Sequence, residues 1–370
     1  MNILQISSAS SVGGGERYLA DLTNSLIARG HNLYVAVRPR SALIRHLQLP
    51  PENILTLPLR NALDVQSAHA LDRFVRRQRI EVVHAHMARD YSLASYAARR
   101  NRQTKFVATR HVLFHLSRLH RHTLARATRV IAVSTAVAKE LRSQKIVGDS
   151  QIAVVPNGIE VDRFARARAR FDRAQFLRGM GLPPDCLLVG SVGELRTLKR
   201  HDDFIRAAAM IVGKFPETQF VLAGLDTSAS GEVRKQLEKL VVELGLKNCF
   251  YFLGWLDDAE KLLCALDVFV SASETESFGL AIVEAMAAGT AVVATGTDGA
   301  QEVIEDQKTG LLVPIGDVER LAESVIDLLE DPETRQTIAA QSAQSAAKRF
   351  SLKRMVDEIE QIYLAADNTD

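Results

Sequence analysis

From residue 271 to residue 304 the sequence reads SASETESFGLAIVEAMAAGTAVVATGTDGAQEVI, and this region joins a buried strand to a helix. The apolar run at residues 267–270 predicts the strand, and the helical spacing of the apolar residues that follow predicts a helix from near Phe278. Glu276 is then in the loop or at the helix cap, whereas Glu284 lies about two turns inside the helix. The two carboxylates flank a helix start.

That helix start is a predicted anion site. Phe278, Gly279 and Leu280 place backbone N–H groups there that have no partner within the helix. The helix dipole adds positive potential at the same end. A phosphate group fits such a position.

This region resembles the signature of the retaining GT-B glycosyltransferases of family 4, the glycosyl transferases group 1. Two glutamates separated by seven residues, with Phe-Gly-Leu between them and Ala-Met-Ala-Ala-Gly after the second, carry the resemblance. It implies that Glu276 contacts hydroxyls of the donor sugar, Glu284 the nucleotide ribose, and the amides near Gly279 and Leu280 the diphosphate. A capping Glu276 and a solvated Glu284 are the structural alternative. Residues 297–302, TDGAQE, are similar to the family's Gly-Gly-x-x-Glu loop, whose glutamate is expected to be structural.

Length and composition favour two globular domains. The chain has 370 residues, which is more than one hydrophobic core usually holds, with 47% hydrophobic and 24% charged residues. Cys186, Cys249 and Cys264 lie far apart, so neither a disulfide framework nor a zinc site is indicated. Without a signal-peptide pattern at the start or a long uncharged stretch, the expected location is the cytoplasm, with the inner face of the membrane as a further option.

Alternating strands and helices predict an α/β fold with two parallel sheets. The first series of predicted strands is 2–7, 32–37, 81–86, 105–109, 130–133 and 152–155. The second series is 187–192, 219–223, 250–253, 268–270, 291–294 and 310–313. We therefore expect two Rossmann-like domains facing each other across a cleft, at residues 1–165 and 185–345. The helix at about residues 350–367 resembles the family's last helix, which packs back on the first domain.

Cations follow the first strand of the second series. Residues 189–199, VGSVGELRTLK, resemble the family's diphosphate-clamping segment, which implies that Lys199 and Arg196 offset the negative charge of the departing diphosphate. The family commonly has Arg where this chain has Glu194. Either Arg196 takes over that role or the clamp is weaker. A solvated basic turn before a helix near His201 is the alternative reading.

Glycines follow the first strand of the chain. Residues 11–17 read SVGGGER, which is not the Gly-x-Gly-x-x-Gly pattern, so an NAD site is poorly supported. The resemblance implies that this loop lies under the donor phosphates, with Gly14 and Gly15 as donor contacts, and beside the acceptor, with Glu16 at the rim. An ordinary flexible turn is the alternative.

Histidines end two other strands of the first series. His84 and His86 share one face of their strand if both belong to it, but a single His-x-His pair is a weak metal signal. The resemblance implies instead that His86 lies beside the donor sugar and the acceptor. Arg110 and His111 follow the next strand and are expected at the rim as acceptor contacts. A core histidine remains the alternative for His86 and is the preferred reading for His84.

The charge is uneven along the chain. Residues 1–175 hold about 28 Lys and Arg against about 12 Asp and Glu, although the whole chain carries only +2. Few aromatic residues accompany the basic clusters, so nucleic acid is not expected as a partner. An anionic membrane surface fits better, with a solvated helix face as the alternative. The clusters are Arg73, Arg76, Arg77, Arg79, Arg99, Arg100, Arg102 and Lys105.

The resemblance implies transfer of a hexose, with retention of configuration, from a UDP- or GDP-sugar to a hydroxyl of a glycan or glycolipid acceptor, in the synthesis of cell-envelope polysaccharide or lipopolysaccharide. No cofactor and no metal are expected, because the sequence has no Asp-x-Asp cluster at the phosphate residues. Two alternatives remain. One is an epimerase of the same fold that acts on a nucleotide sugar, and the other is a nucleotide-sugar binding protein without turnover, for which Glu194 is the sequence hint.

Overall fold

The computed structural model describes residues 1–9, 13–228, 230–256 and 258–365. The strands in this part of the chain are β1 Asn2–Ser7, β2 Asn32–Val37, β3 Ile54–Thr56, β4 Val82–Ala85, β5 Lys105–Arg110, β6 Arg129–Ala132, β7 Ile152–Val154, β8 Leu188–Val192, β9 Gln219–Ala223, β10 Phe250–Gly254, β11 Val268–Ser271, β12 Ala291–Thr295 and β13 Leu311–Val313. The helices are α1 Gly14–Ala28, α2 Val65–Arg77, α3 Tyr91–Arg100, α4 His120–Leu124, α5 Thr135–Ser143, α6 Val161–Ala169, α7 Arg173–Gly179, α8 His201–Lys214, α9 Glu232–Glu243, α10 Ala259–Ala265, α11 Leu280–Ala287, α12 Asp298–Val303, α13 Val318–Glu330, α14 Pro332–Arg349 and α15 Leu352–Leu364.

The chain forms two compact units. The first contains Met1–Gly158 together with α15, and the second is Ile159–Ser351. Residues 159–184, which straddle the predicted domain ends at 165 and 185, thus lie in the second unit. The physical reason is burial, because Phe164 of α6 and Leu177 of α7 belong to the hydrophobic core of that unit.

The first unit is built on a parallel seven-stranded sheet in the order β3-β2-β1-β4-β5-β6-β7. Its central strands are apolar on both sides, as a sheet covered by helices on both faces requires. Leu4 and Ile6 of β1 pack in one cluster and Ile3 in another, because neighbouring side chains of a strand point to opposite faces. Helix α15 covers the Ile3 side through Met355 and Ile359. Position 366 of the predicted last helix lies outside the described residues.

The edge strand β3 is absent from the sequence-based prediction. It has only three residues and pairs with β2 through Val35 and Ile54. Prolines at positions 50, 51 and 58 enclose it, and such residues are typical of loops. Its residues are only partly buried, so the apolar run that marks the central strands is missing here.

The second unit is built on a parallel six-stranded sheet in the order β10-β9-β8-β11-β12-β13. Both sheets therefore have the doubly wound order. Successive strands are first added on one side of the first strand, β1 or β8, and the order then reverses, so that later strands are added on its other side. In such sheets ligands bind at the carboxyl ends of the strands on either side of this reversal. The residues after β1 and β4, and those after β8 and β11, hold these positions. The two parallel sheets confirm the predicted α/β class with two domains.

Candidate functional site

In the second unit a backbone hydrogen bond joins the two loops at the reversal. The N–H of Glu274, after β11, donates to the carbonyl of Leu198, after β8, at 2.9 Å. This contact brings Nζ of Lys199 to 2.5 Å from Oε1 of Glu276. The hydroxyl of Ser273 donates to the same carboxylate oxygen at 2.8 Å. Two predicted site residues that are 77 positions apart in the chain thus form one hydrogen-bonded ion pair.

Gly299 fixes the backbone beneath this pair. Its N–H donates to the carbonyl of Glu276 at 3.1 Å. A Cβ atom at this position would lie 2.6 Å from that carbonyl oxygen and 2.7 Å from the backbone nitrogen of Phe278. Since backbone atoms cannot move aside easily, only glycine fits the first turn of α12 here. Gly299 was not among the predicted site residues, although its place in TDGAQE after a buried strand was a signal.

Helix α11 begins two residues later than predicted. Its first residue is Leu280, and its N-cap Gly279 has φ 95°, in the left-handed region that favours glycine. The Phe278 ring lies before the helix and is buried, with its centroid 5.4 Å from that of Phe350. Glu284 is consequently only a little more than one turn inside the helix, not two, and is buried. By the same helix-end argument, the N–H groups at the start of α11 remain the predicted anion site.

Arg196 has a different partner from Lys199. Its Nη1 lies 3.4 Å from Oε2 of Glu194, and the other oxygen of Glu194 accepts a hydrogen bond from the hydroxyl of Thr227. Arg196 and Glu194 line an open pocket of about 470 Å³ together with Thr197 and Ser228. Glu194, the departure from the family pattern, therefore offsets the charge of Arg196, while Lys199 lies with Glu276.

His201 supports the segment that carries these cations. It is buried, and its Nε2 lies 3.1 Å from the carbonyl oxygen of Glu194. Burial lowers the pKa of His201 to about 4, with the hydrogen bond to that carbonyl acting in the opposite direction. Its neutral ring therefore holds the backbone between β8 and α8. His201 was predicted only as the start of a helix and not as a support of the site.

In the first unit, histidine rings cluster at the carboxyl end of β4, with His84 inside the strand and His86 just after it. The ring centroids of His84 and His86 are 4.2 Å apart, as expected for side chains on one face of a strand. His84 contacts the hydroxyls of Tyr363 and Thr109 at 2.5 and 2.7 Å, so it is a core histidine whose two ring nitrogens both have partners. His86 lies 2.7 Å from Oε1 of Gln5 and, through its other nitrogen, 3.4 Å from Nε2 of His111.

These histidines are neutral at neutral pH. Burial lowers the pKa of His84 to about 3 and that of His86 well below its usual range. Burial, and then the charge of Arg110, lowers the pKa of His111 to about 3. Both ring nitrogens of His86 have partners, whereas His111 uses only Nε2 in its contact with His86, so Nδ1 of His111 is the nitrogen that can meet a ligand hydroxyl without adding charge. The His, Cys, Asp and Glu residues of the described ranges include no group of three or more placed to hold a metal ion.

The glycine-rich segment begins a helix. Helix α1 starts at Gly14, so Gly14 and Gly15 belong to its first turn and not to a loop or a flexible turn. The Glu16 carboxylate accepts a hydrogen bond from the N–H of Gly13 at 2.9 Å. A Cβ at Gly15 would lie 3.7 Å from Cγ of His111, so this glycine lies beside the histidine cluster. Positions 11 and 12 of the predicted loop lie outside the described residues.

The Arg110 guanidinium has a partner outside this cluster. Arg110 is buried, and its guanidinium donates to the backbone carbonyl of Phe114. Gly15, His86 and His111 are therefore the predicted residues that the first unit brings together, with the ring of Tyr18 4.8 Å from that of His111. Tyr18 and Gln5 were not predicted as members of this cluster.

Comparison with known proteins identifies related sequences along almost the whole chain. Residues 172–345 match the family model for glycosyl transferases group 1, and residues 12–163 match that for glycosyltransferase family 4. The lipopolysaccharide core biosynthesis glycosyltransferase LpsE of Rhizobium meliloti (strain 1021) is 28% identical over 93% of this chain and 94% of its own length. The N-acetyl-alpha-D-glucosaminyl L-malate synthase of Bacillus anthracis is 27% identical over 95% and 94%. A D-inositol 3-phosphate glycosyltransferase of Saccharomonospora viridis is 32% identical over 66% and 57%.

Solved structures have the same fold. HepE of Anabaena, crystallised with UDP and glucose, has a TM-score of 0.84 at 24% identity and covers 98% of both chains. A glycosyltransferase from Rickettsia africae has a TM-score of 0.86 at 22% identity and covers 98% of this chain and 97% of its own. Two family models in succession, on two parallel sheets of the same strand order, show that the chain belongs to the GT-B glycosyltransferases of family 4, the glycosyl transferases group 1.

Proposed function

We propose that this glycosyltransferase transfers a hexose from a UDP- or GDP-sugar to a hydroxyl of a glycan or glycolipid, with retention of configuration, in cell-envelope synthesis. The observation that carries the proposal is the pairing of Lys199 with Glu276 at the carboxyl ends of β8 and β11. The names of the similar proteins support it, since HepE was crystallised with UDP-glucose and LpsE acts in lipopolysaccharide core synthesis.

The second unit binds the donor. Oε1 of Glu276 accepts from Lys199 and Ser273, whereas no hydrogen bond from the described residues reaches its Oε2. That oxygen is the proposed acceptor for hydroxyls of the donor sugar. The diphosphate interacts with Lys199, Arg196 and the N–H groups at the start of α11, and the buried Glu284 is the proposed ribose contact.

The proposed reaction proceeds on one face of the sugar. The bond between C1 and the departing phosphate oxygen breaks as the bond between C1 and the acceptor oxygen forms. The acceptor proton moves to the departing diphosphate, so no carboxylate of the protein takes it. Lys199 and the helix start offset the charge that develops on the leaving group. We propose that this makes a divalent metal unnecessary, so activity should survive EDTA, whereas abolition by EDTA and rescue by Mg²⁺ would contradict the assignment.

The first unit binds the acceptor. His86, His111 and Gly15 lie together beyond β4, and the two rings are neutral hydrogen-bonding groups. An acceptor hydroxyl is a suitable partner for Nδ1 of His111. Two of the similar proteins are named for anionic acceptors, L-malate and D-inositol 3-phosphate.

The basic residues of the first unit form a proposed contact with an anionic membrane. The buried Asp72 pairs with Arg76 and Arg100, so α2 and α3 carry their arginines side by side. Leu63 and Val65, at the start of α2, are 85% and 65% exposed. Among the described residues no helix is long and apolar enough to cross a bilayer. The arginines of the proposed contact are Arg73, Arg77, Arg79, Arg99 and Arg102, all exposed.

A donor screen tests the proposal. The protein is incubated with a panel of UDP- and GDP-sugars and glycan acceptors, and both the released nucleotide and the product are measured. Glu276→Gln should lower transfer by about 10² or more, as removal of a preorganised polar group commonly does. Glu274→Gln is the matched control, because this neighbouring carboxylate lies 3.9 Å from Arg200 and is half-exposed.

The products separate the alternatives. An α-configured product from an α-configured donor supports retention. An isomerised sugar formed without acceptor would indicate the epimerase. Nucleotide binding without turnover would indicate a binding protein, and unchanged transfer by Glu276→Gln would remove the assigned donor site.

A further inference from the structure

The first unit contains an open, strongly basic pocket of about 440 Å³. Arginines, prolines and one serine line it: Arg38, Pro39, Arg40, Ser41, Pro58 and Arg60. These residues follow β2 and β3, so the pocket lies at the carboxyl edge of the sheet. The Ser41 hydroxyl donates to the carbonyl of Ala9, just after β1, at 3.4 Å. The pocket is therefore on the same sheet edge as the histidine cluster.

The three guanidinium groups of the pocket have no carboxylate among its lining residues. Within the described residues, none of the three takes part in an ion pair or a side-chain hydrogen bond. Two carboxylates outside the pocket lining interact electrostatically with its arginines, Asp64 with Arg60 and Asp90 with Arg38, but both accept their hydrogen bonds from other groups. Asp64 accepts from the backbone N–H of Arg60 and Ser67, and Asp90 accepts from that of Ser8 at 2.8 Å.

Such a pocket favours an oxyanion. Guanidinium groups bind phosphate and carboxylate oxygens through paired N–H donors. Like charges gathered in a concave site repel one another and concentrate positive potential there until an anion enters. Three cations match a phosphate monoester, which carries close to two negative charges, better than a single carboxylate.

The backbone of the pocket is held in place. Arg40 has φ 60° and Leu59 has φ 41°, both in the left-handed region that non-glycine residues rarely adopt. Each such residue costs about 1 kcal/mol or more and persists only where its surroundings fix it. Leu59 is fully buried, and its N–H donates to the hydroxyl of Ser67 at 3.1 Å. Pro39 and Pro58 restrict the backbone further, so the arginines are presented from preorganised segments.

We infer that Arg38, Arg40 and Arg60 bind a phosphate group carried by the acceptor. The inference rests on the proposed function, which assigns the acceptor to the first unit, and it specifies the acceptor as a phosphorylated glycan or lipid. The site is separate from the proposed diphosphate site at Lys199, which belongs to the second unit.

Calorimetric titration of the full-length protein with inorganic phosphate is the first test. The triple variant Arg38→Gln, Arg40→Gln, Arg60→Gln should weaken phosphate binding at least tenfold. A matched control replaces three other exposed arginines of the first unit, Arg118, Arg121 and Arg126, by Gln and should bind as wild type does. Wild-type binding by the pocket variant, or an equal loss of binding in the control variant, would overturn the inference.

A second arm separates free phosphate from acceptor-borne phosphate. Glycerol phosphate and glycerol are titrated in parallel, and we expect binding of the phosphomonoester alone. Binding of inorganic phosphate without glycerol phosphate would overturn the inference, because an acceptor group must be a monoester. In transfer assays the pocket variant should raise KM for phosphorylated acceptors at least tenfold with little change in kcat. Failure of the Glu276→Gln prediction would leave these titrations unaffected, so the two proposals fail separately.

Discussion

Nζ of Lys199 lies 2.5 Å from Oε1 of Glu276, and Ser273 donates to the same oxygen. The ion pair is half-buried, with 29% of the Lys199 side chain and 14% of the Glu276 side chain exposed. In the proposed function the cation binds the diphosphate of the nucleotide sugar and the carboxylate binds the hydroxyls of the hexose. Replacing either residue leaves its partner without this ion pair. Binding and chemistry must therefore be measured separately in variants of Lys199 and of Glu276.

Lys199→Ala should slow sugar transfer by about 10² or more while weakening nucleotide binding much less. The reason is that negative charge on the leaving diphosphate is greatest in the transition state. Single-turnover rates and calorimetric titration with UDP and GDP measure the two effects. Lys235→Ala, on the exposed side of α9, is the control and should behave as wild type. If nucleotide affinity falls but the single-turnover rate does not, Lys199 binds the donor without acting in the chemical step.

Gly299→Ala should inactivate the enzyme with only a partial loss of stability. The added methyl group would lie 2.6 Å from the Glu276 carbonyl oxygen and 2.7 Å from the Phe278 nitrogen. The loop that carries Glu276 must then shift, at a cost of about 1–3 kcal/mol in the free energy of unfolding.

Gly296→Ala is the matched control for this variant. It lies three positions away on the same connection, and its Cβ would have no neighbour closer than 3.6 Å. Transfer rates and thermal unfolding of both variants show whether Gly299→Ala loses activity beyond its loss of stability. Full activity in Gly299→Ala would show that the close approach does not position Glu276.

Stability should fall as the solution becomes acidic. His84 has a pKa of about 3 in the folded protein, below the usual 6.5, so the unfolded chain binds the proton more readily. Its contribution is complete above pH 6.5 and is lost as the pH falls from 6.5 toward 3. His86 and His111 act in the same direction. Asp90, whose pKa burial raises to about 6, and Glu16, whose pKa burial also raises, act in the opposite direction. His201, with a pKa of about 4, adds a fourth buried histidine to the destabilising groups, so these outnumber the two carboxyls.

Thermal unfolding between pH 7.5 and pH 5 measures this effect, which we expect to reach a few kcal/mol. His84→Gln should be less stable at pH 7.5 but should lose less stability on acidification than the wild type. The exposed His122→Gln is the control and should retain the wild-type slope. Parallel slopes for wild type and His84→Gln would show that the buried ring does not govern the acid response.

Local sequence patterns predict the elements of this fold better than its contacts. The long apolar strands, such as β1 and β12, follow from composition, whereas β3 has too few buried residues to be recognised. The approach of Lys199 to Glu276 depends on β8 lying beside β11, and strand order is not written in any local pattern. The same holds for His84 and Tyr363, which are 279 positions apart and meet because α15 packs on the first sheet.

Two further features of the site, the role of Gly299 and the partner of Arg196, could not be predicted fully from the sequence. Gly299 is required because its backbone lies very close to the backbone of Glu276 and Phe278. A glycine near a turn is more often explained by its backbone dihedral angles, so the sequence does not reveal this contact. The partner of Arg196 could be foreseen only in part. Glu194 is two residues away and therefore near, but its second contact, with Thr227, crosses 33 positions.

The arginines of α2 and α3 lead to the remaining prediction, on membrane binding. Asp72 pairs with Arg76 and Arg100, and Lys105 donates to the carbonyl of Tyr363 at 3.0 Å, so these three cations have structural partners. The exposed arginines nearby are the ones that should govern attraction to anionic lipid. The variant Arg73→Ser, Arg77→Ser, Arg79→Ser removes three of them. It leaves Arg76 and Arg100 in place, so the buried Asp72 carboxylate keeps its partners.

Co-sedimentation with anionic liposomes at low salt should show wild-type binding that fades as salt rises. Each basic residue near the surface contributes about 1 kcal/mol, so the triple variant should bind about a hundredfold more weakly. The matched control replaces Arg170, Arg178 and Lys247, exposed cations of the second unit, by Ser and should bind as wild type does. Equal partitioning of the wild type onto neutral and anionic vesicles, or equal loss in both variants, would mean that the arginines of α2 and α3 form only a solvated face.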